Sequence, residues 1–200
     1  MTEIKICGLS REEDIDYVNE AKPDYIGFIL HFPQSRRNIS IEKAAELRRR
    51  LSPGIKAVGV FVDPPAEVVI EAAEAICLDV IQLHGHEDDA YIAALGEQIS
   101  LPIWKAFRIR SADDLAAAKK SPADEILLDN GYGTGEAFDW SLAAGFDRPF
   151  LLAGGLTPEN IAEAIRALRP KLADISSGVE TNGQKDKRKI IAAVNAVRRS

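Results

Sequence analysis

Apolar residues along this chain fall into eight short runs that alternate with amphipathic stretches. In the first run, Ile4 and Ile6 alternate with Lys5 and lead to Cys7, and Gly8 permits a sharp turn directly afterwards. The second run, 24–30, is almost wholly apolar, which is typical of a strand buried on both faces of a parallel sheet. The pattern predicts eight strands, at 4–9, 24–30, 56–62, 79–83, 102–107, 125–128, 150–153 and 173–176.

Between the strands, apolar residues recur at the spacing of helices that lay one face on a sheet, most clearly at Ile161, Ala164, Ile165 and Leu168. Side chains suited to helix starts stand before these stretches. The predicted starts are Ser10 with Glu13, Ser40, Ser111 with Asp114, Asp139 and the pair Thr157-Pro158.

A strand and a helix thus repeat eight times with a period of about 25 residues, and no linker or low-complexity segment interrupts them. This order predicts the α/β class and a single (β/α)8 TIM barrel that occupies residues 1–200 as one domain.

Composition and charge limit the partners and the cellular compartment that are expected for this protein. The formal net charge is −6 with both signs interspersed, which argues against nucleic acid or an anionic membrane as a partner. No apolar run approaches the length of a membrane span and no secretory signal is evident, so a cytoplasmic protein is expected. The two cysteines, Cys7 and Cys77, are then expected to be reduced, with Cys77 in the core. The expected partner is a small phosphorylated molecule, and the chain is either a monomer or a homodimer.

Chemistry in such a barrel gathers where the strands end. The polar side chains at predicted strand ends are Cys7, Arg36 or Arg37, His84, Arg108, Asp129 and Asp174. A lone cysteine is most often only a small apolar residue, so Cys7 acquires a chemical role only in the company of the others. His84 and His86 have the spacing of a metal pair, but no carboxylate and histidine set completes it, so no metal site is predicted. Arg108 either reaches the substrate or covers the rim.

Small residues follow the last two strands, Gly154 and Gly155 after the seventh and Ser176, Ser177 and Gly178 after the eighth. In barrels of this type a phosphate commonly lies at that place, held by backbone N–H groups and helix N-termini. No lysine or arginine occurs in 150–156 or 174–180, so backbone groups are expected to supply the positive potential. We therefore predict a phosphate site between these two segments.

The motifs together resemble those of phosphoribosylanthranilate isomerases of tryptophan biosynthesis. Examples are Lys-Ile-Cys-Gly-Leu at 5–9, Gln-Leu-His-Gly at 82–85 and Asp-Ile-Ser-Ser-Gly-Val-Glu at 174–180. The resemblance extends in order through 32–37, 58–61, 127–129, 133–135, 138–140 and 153–156.

The resemblance implies an Amadori rearrangement of N-(5-phosphoribosyl)anthranilate, with Cys7 as general base and Asp129 as general acid. It places the arginine that meets the substrate carboxylate at Arg37, although the adjacent Arg36 leaves that choice open. Asp174 falls near the substrate nitrogen or sugar hydroxyls, or else orients backbone amides, and His84 lines the site. No metal, nucleotide or redox cofactor is implied.

The Amadori rearrangement requires one general acid and one general base. Asp129 can protonate the ring oxygen only if its carboxyl group stays neutral, which a mouth partly closed by the glycine-rich loop 131–135 would favour by excluding water. A cysteine thiol, with a reference pKa of about 8.5, then has to ionise to remove the C2 proton. The alternatives are another phosphosugar barrel enzyme, such as an indole-glycerol-phosphate synthase or a pentose-phosphate epimerase, and a non-catalytic phosphate-binding module.

Overall fold

A computed structural model describes residues 1–129, 143 and 145–200. The strands are β1 (Glu3–Cys7), β2 (Tyr25–Leu30), β3 (Asn38–Ile39), β4 (Lys56–Phe61), β5 (Val80–Leu83), β6 (Ile103–Arg108), β7 (Glu125–Asp129), β8 (Phe150–Leu152), β9 (Leu172–Ile175), β10 (Glu180–Thr181) and β11 (Gln184–Lys185). The α-helices within the described ranges are α1 (Glu12–Ala21), α2 (Ile41–Arg49), α3 (Ala66–Ile76), α4 (Asp89–Gly96), α5 (Ala112–Lys120), α6 (Ile161–Leu168) and α7 (Lys187–Arg198). None of these helices is long and apolar enough to cross a membrane.

Eight of the strands form a closed parallel barrel. Their order is β1, β9, β8, β7, β6, β5, β4, β2, and β2 pairs again with β1. The predicted (β/α)8 barrel is therefore confirmed, and the predicted strands match the observed ones to within about two residues. Because all eight strands are parallel, their carboxyl ends lie on one face, which we call the barrel mouth.

Strand β1 shows how the two sides of the barrel wall differ. Successive side chains of a strand point to opposite faces. Ile4 and Ile6 join the apolar layer between barrel and helices, whereas Cys7 belongs to the cluster that fills the barrel interior. Lys5 is fully buried and pairs with Asp174. A lysine is tolerated inside the barrel because the carboxylate of a neighbouring strand compensates its charge.

Two predicted helix starts are confirmed and two are wrong. Ser40 and Ser111 accept hydrogen bonds from the backbone N–H groups of Lys43 and Asp114, as expected of N-caps. The start predicted at Thr157-Pro158 is wrong, because α6 begins later, at Ile161, after a turn.

The first helix begins at Glu12 rather than at Ser10, and its capping carboxylate is that of Asp14 rather than Glu13. Asp14 is buried and accepts hydrogen bonds from the N–H groups of Ser10 and Arg11, whereas Glu13 points into solvent. The predicted loop 130–135 and the predicted cap at residue 139 lie outside the described residues.

The chain after β9 differs from the predicted strand-to-helix connection. A short 3-10 turn, Ser177–Val179, leads into a two-stranded hairpin of β10 and β11, and only then does α7 begin. The hairpin turns at Asn182 and Gly183, which both have positive φ angles of 51° and 78°. As a result, Lys185 returns toward the barrel mouth.

Candidate active site

Cys7 lies at the carboxyl end of β1, buried at the barrel mouth. The chain turns away directly after it, and Gly8 and Leu9 both donate backbone hydrogen bonds to the carbonyl of Gly27. Gly27, on β2, provides the space for the thiol, because a Cβ atom there would lie 2.8 Å from the Cys7 sulfur and 3.1 Å from Lys5 Cε. No role of Gly27 was predicted from the sequence.

The charge of Lys5 opposes the effect of burial on Cys7. Burial raises the pKa of the thiol, and the nearby Lys5 ammonium group works against that rise. Lys5 Nζ donates a 2.8 Å hydrogen bond to Asp174 Oδ2. Burial alone would lower the pKa of Lys5, but Asp174 and Cys7 outweigh it and raise that pKa. Cys7, Lys5 and Asp174 therefore form one electrostatic unit, of which Lys5 was not predicted.

Asp129 ends β7 and contacts the histidine that follows β5. The distance from His84 Nε2 to Asp129 Oδ2 is 3.1 Å, and the other ring nitrogen of His84 lies 3.3 Å from Gln82 Nε2. Gln82 is fully buried inside the barrel. The structure thus brings the predicted residues His84 and Asp129 together and adds Gln82 as the group that orients the imidazole ring.

A buried ion pair beneath the connection after β5 holds His84 in place. Lys105 Nζ donates to the carbonyl of Gly85 at 2.7 Å and to Glu87 Oε2 at 2.9 Å. The same carboxylate accepts the N–H groups of Gly85 and Asp63. The backbone next to His84 is therefore tied at several points.

The two arginines of the predicted carboxylate site both contact Glu180. Arg37 forms a bidentate pair, Nε to Oε1 at 2.6 Å and Nη2 to Oε2 at 2.9 Å, and Arg36 binds Oε2. Lys185 Nζ adds a further contact of 2.9 Å to Oε1. Although burial would raise it, the pKa of Glu180 is lowered by Arg37 and Lys185. Arg37 is the more enclosed of the two arginines, with 21% of its side chain exposed against 58% for Arg36.

The two small-residue segments meet at the rim. Gly154 and Gly155 have positive φ angles of 91° and 64°, a conformation that glycine adopts without strain. A Cβ atom on Gly178 would lie 1.9 Å from the carbonyl oxygen of Leu156, so the backbone after β9 touches the backbone after β8. The structure therefore brings the two predicted phosphate-binding segments into direct contact.

Side chains reinforce this rim. Ser176 Oγ donates to the carbonyl of Cys7 at 3.0 Å, and Lys185 Nζ donates to the carbonyl of Ser176 at 2.9 Å. The buried Lys185 supplies a cation that the sequence segments 150–156 and 174–180 lack. By contrast, the α-helices α6 and α7 begin only at Ile161 and Lys187, so the helical N-terminus that the described chain places within these segments is that of the 3-10 turn Ser177–Val179.

The remaining candidate side chains are His86, Arg108 and Cys77. His86 is 94% exposed and pairs with Asp63, and no group of histidine, cysteine or carboxylate side chains able to hold a metal ion occurs in the described part of the chain. Arg108, at the end of β6, is exposed. Cys77 was predicted to be in the core, and this is wrong: it is exposed at the C-terminal cap of α3, where the chain leaves the helix with a φ of 56°.

The chain is similar to known proteins over its whole length. Residues 4–196 match the family model described as N-(5'-phosphoribosyl)anthranilate (PRA) isomerase. The N-(5'-phosphoribosyl)anthranilate isomerase of Caldanaerobacter subterraneus subsp. tengcongensis is 46% identical over 205 residues, covering 99% of this chain and 98% of the relative. The chain belongs to the phosphoribosylanthranilate isomerase family.

Solved structures of this family superpose on the whole chain. A phosphoribosylanthranilate isomerase in complex with reduced 1-(o-carboxyphenylamino)-1-deoxyribulose 5-phosphate gives a TM-score of 0.89 at 34% identity, with both chains fully covered. Mutually generated monomers of the dimeric enzyme from Thermotoga maritima give 0.88 at 35% identity, again over the full length of both chains. The family resemblance of the sequence and its barrel fold are both confirmed, and the chain is an enzyme of the phosphoribosylanthranilate isomerase class.

Proposed function

We propose that this chain catalyses the Amadori rearrangement of N-(5-phospho-β-D-ribosyl)anthranilate to 1-(2-carboxyphenylamino)-1-deoxy-D-ribulose 5-phosphate, a step of L-tryptophan biosynthesis. The observation that supports it most directly is the placement of Cys7 and Asp129, both buried, at strand ends of one barrel mouth. Such a pair supplies the base and the acid that the rearrangement needs.

The proposed reaction begins with the acid. Asp129 gives its proton to the ring oxygen as the C1–O bond breaks, so the anthranilate nitrogen forms an iminium bond to C1. His84, 3.1 Å from Asp129 Oδ2, orients the carboxyl group. The positive iminium then acidifies the proton on C2.

The base completes the rearrangement. The Cys7 thiolate removes the C2 proton, which leaves an enol amine. The thiol returns a proton to C1 while the C2 hydroxyl passes its proton to the Asp129 carboxylate, so both groups are restored and the C2 ketone forms. All atoms and electrons are accounted for by proton transfers and the opening of one C–O bond.

The rest of the mouth supports the orientation of the substrate. The segments at Gly154–Gly155 and Ser176–Gly178 are proposed to bind the phosphate, with Lys185 beneath them, and Arg37 to bind the anthranilate carboxylate. Asp174 is proposed to accept a hydrogen bond from the substrate nitrogen or a sugar hydroxyl. This arrangement separates the two anionic ends of the substrate and leaves the ribose over Cys7 and Asp129.

A turnover assay with the purified chain and N-(5-phosphoribosyl)anthranilate tests the function, run beside calorimetric titration with the reduced product analogue. We expect both turnover and binding. Binding without turnover would instead favour a non-catalytic phosphate-binding module, and turnover of a different phosphosugar would favour another barrel enzyme.

The carboxylate site gives a specific prediction. Arg37→Ala is expected to raise the KM for the anthranilate substrate by about 10- to 100-fold with a smaller change in kcat, because hydrogen bonds to charged groups contribute about 1.5–3 kcal/mol. The same substitution should change the binding of ribose 5-phosphate, which has no aromatic carboxylate, much less.

Arg36→Ala is the matched control, since Arg36 is the more exposed arginine and shares the contact to Glu180. It should raise the KM less than Arg37→Ala does. A larger rise for Arg36→Ala would assign the substrate carboxylate to Arg36 instead.

A further inference from the structure

Lys5 lies beside Cys7 at the end of strand β1. Lys5 and Cys7 are two positions apart on β1, so both side chains face the barrel interior. Their reactive ends meet at Gly27, where a Cβ atom would lie 2.8 Å from the Cys7 sulfur and 3.2 Å from Lys5 Nζ. Because Lys5 is fully buried, water cannot screen its charge from the thiol.

Within the described part of the chain, four charged groups interact with the thiol from the elements around it. Lys5 on β1 and Lys185 on β11 favour the thiolate, and Asp174 on β9 disfavours it. Arg37, which precedes β3, interacts favourably with a charged Cys7 as well. Burial is the largest single influence and raises the pKa of the thiol, so Cys7 of the unliganded protein is held mainly as the neutral thiol at neutral pH.

Asp174 has one carboxylate oxygen to spare. Its Oδ2 accepts from Lys5, whereas its buried Oδ1 has no hydrogen-bond partner among the residues that the structure describes. An unsatisfied buried carboxylate oxygen is costly, so it is a strong acceptor for an N–H or O–H group of a ligand at the mouth. A donor at Oδ1 would share the negative charge of Asp174 and so weaken both its hold on Lys5 and its repulsion of a thiolate.

We propose that Lys5 is a positioning residue whose ammonium group is the counter-ion of the Cys7 thiolate. Before a ligand binds, Lys5 is paired with Asp174 instead, and a donor group of the ligand at Asp174 Oδ1 weakens that pairing. On ligand binding the thiol proton leaves to solvent, and the thiolate so formed is paired with the Lys5 ammonium group. The inference deepens the proposed function, because a thiolate at Cys7 is the base that the rearrangement requires.

The test reads the ionisation of Cys7 directly, as the ultraviolet absorbance of its thiolate against pH. A Cys77→Ser background removes the exposed cysteine, and the Cys7→Ser/Cys77→Ser double variant provides the blank for tyrosine absorbance. In this background Lys5→Met should raise the pH at which Cys7 ionises by about 1–3 units, since it removes an adjacent opposite charge. Asp174→Asn should lower that pH, because the buried ammonium group is then left with the thiolate as its counter-ion.

Lys105→Met is the matched control. Lys105 is also a buried lysine in an ion pair, but its partner is Glu87 and it does not face Cys7. Its replacement removes comparable buried charge without moving the Cys7 titration. An unchanged titration in Lys5→Met, or an equal rise in Lys105→Met, would overturn the proposal. If Lys5→Met does not fold, Asp174→Asn decides alone, and a rise or no change there contradicts it.

A second experiment distinguishes the proposed role of Lys5 and Asp174 from the proposed catalytic function. The reduced product analogue should lower the ionisation pH of Cys7 in the Cys77→Ser protein and should have less effect in the Asp174→Asn variant, at concentrations that calorimetry shows to be saturating. A protein that binds the analogue without this shift overturns the coupling. Failure to turn over the substrate, with the titration shifts as expected, refutes the proposed function and leaves the role of Lys5 standing.

Discussion

Replacement of Cys7 by serine or of Asp129 by asparagine is expected to lower kcat by about 10²- to 10⁴-fold, the usual contribution of a general acid or base. Each change removes a proton-transfer group and nearly preserves its volume, so the buried mouth should keep its packing. Both variants should therefore still bind the reduced product analogue. Steady-state kinetics beside calorimetry would show a loss confined mainly to kcat.

Matched controls exist for both positions. Cys77→Ser changes the exposed cysteine at the end of α3 and should leave kcat unchanged. Asp63→Asn changes another carboxylate that pairs with a histidine, His86, but in an exposed position. It should cost far less than Asp129→Asn. If Cys7→Ser or Asp129→Asn kept more than about a tenth of the original kcat, the corresponding acid or base role would be wrong.

The barrel was predictable because the sequence patterns that specify its strands and helices each lie within a few neighbouring residues. Each strand is a short apolar run, and helix signals such as Ser40 and Ser111 are read from a few neighbouring residues. The wrong start of α1 shows the limit of such signals. Glu13 and Asp14 are both plausible capping residues in the sequence, and burial of Asp14, which depends on packing, decides between them.

The members of the site that were missed make contacts between distant parts of the chain. Lys5 was interpreted only as the polar member of an alternating strand, because its partner Asp174 is 169 residues away. The contact appears only once β1 and β9 are neighbours in the closed barrel. In a barrel, unlike an open sheet with one face in water, the polar member of such a strand points into the interior and requires a partner there.

The positions of Lys185 and Glu180 could have been predicted from a turn motif in the sequence. Asn182-Gly183 is the dipeptide most typical of a two-residue hairpin turn, and it separates β10 from β11. The hairpin brings Lys185 back beneath Ser176 and Glu180 against Arg37. A prediction of that hairpin would have placed a lysine at a rim whose own segments, 150–156 and 174–180, contain no lysine or arginine.

The second large effect is expected at Gly178. Gly178→Ala should weaken binding of the reduced product analogue, and of inorganic phosphate, by at least about tenfold. The added Cβ atom would lie 1.9 Å from Leu156 O and 3.1 Å from Thr157 Cα, and these are backbone atoms that cannot rotate away. The two rim segments would have to separate, which displaces the backbone groups proposed to hold the phosphate.

Gly96→Ala is the control, because the atom found within 4 Å of its added methyl group, among the described residues outside its own helix and chain neighbours, is Ile103 Cδ1 at 3.8 Å. It should bind both anions normally. Thermal unfolding and the Cys7 titration of Gly178→Ala would show whether the interior remains intact, so that a loss of affinity reports on the rim. A crystal soaked in sulfate should show the anion between Gly155 and Ser177.

Undiminished anion binding in Gly178→Ala, with the sulfate beside Arg36 and Arg37, would mean that the substrate lies in the mouth in the reverse orientation. The structure gives a physical reason to expect otherwise. Glu180 already contacts both arginines and its lowered pKa keeps it charged, so a phosphate dianion there would be repelled more strongly than the singly charged anthranilate carboxylate. At the rim, Lys185 Nζ is also shared with Glu180, but the backbone N–H groups of 154–156 and 176–178 belong to segments in which the described chain carries no acidic side chain.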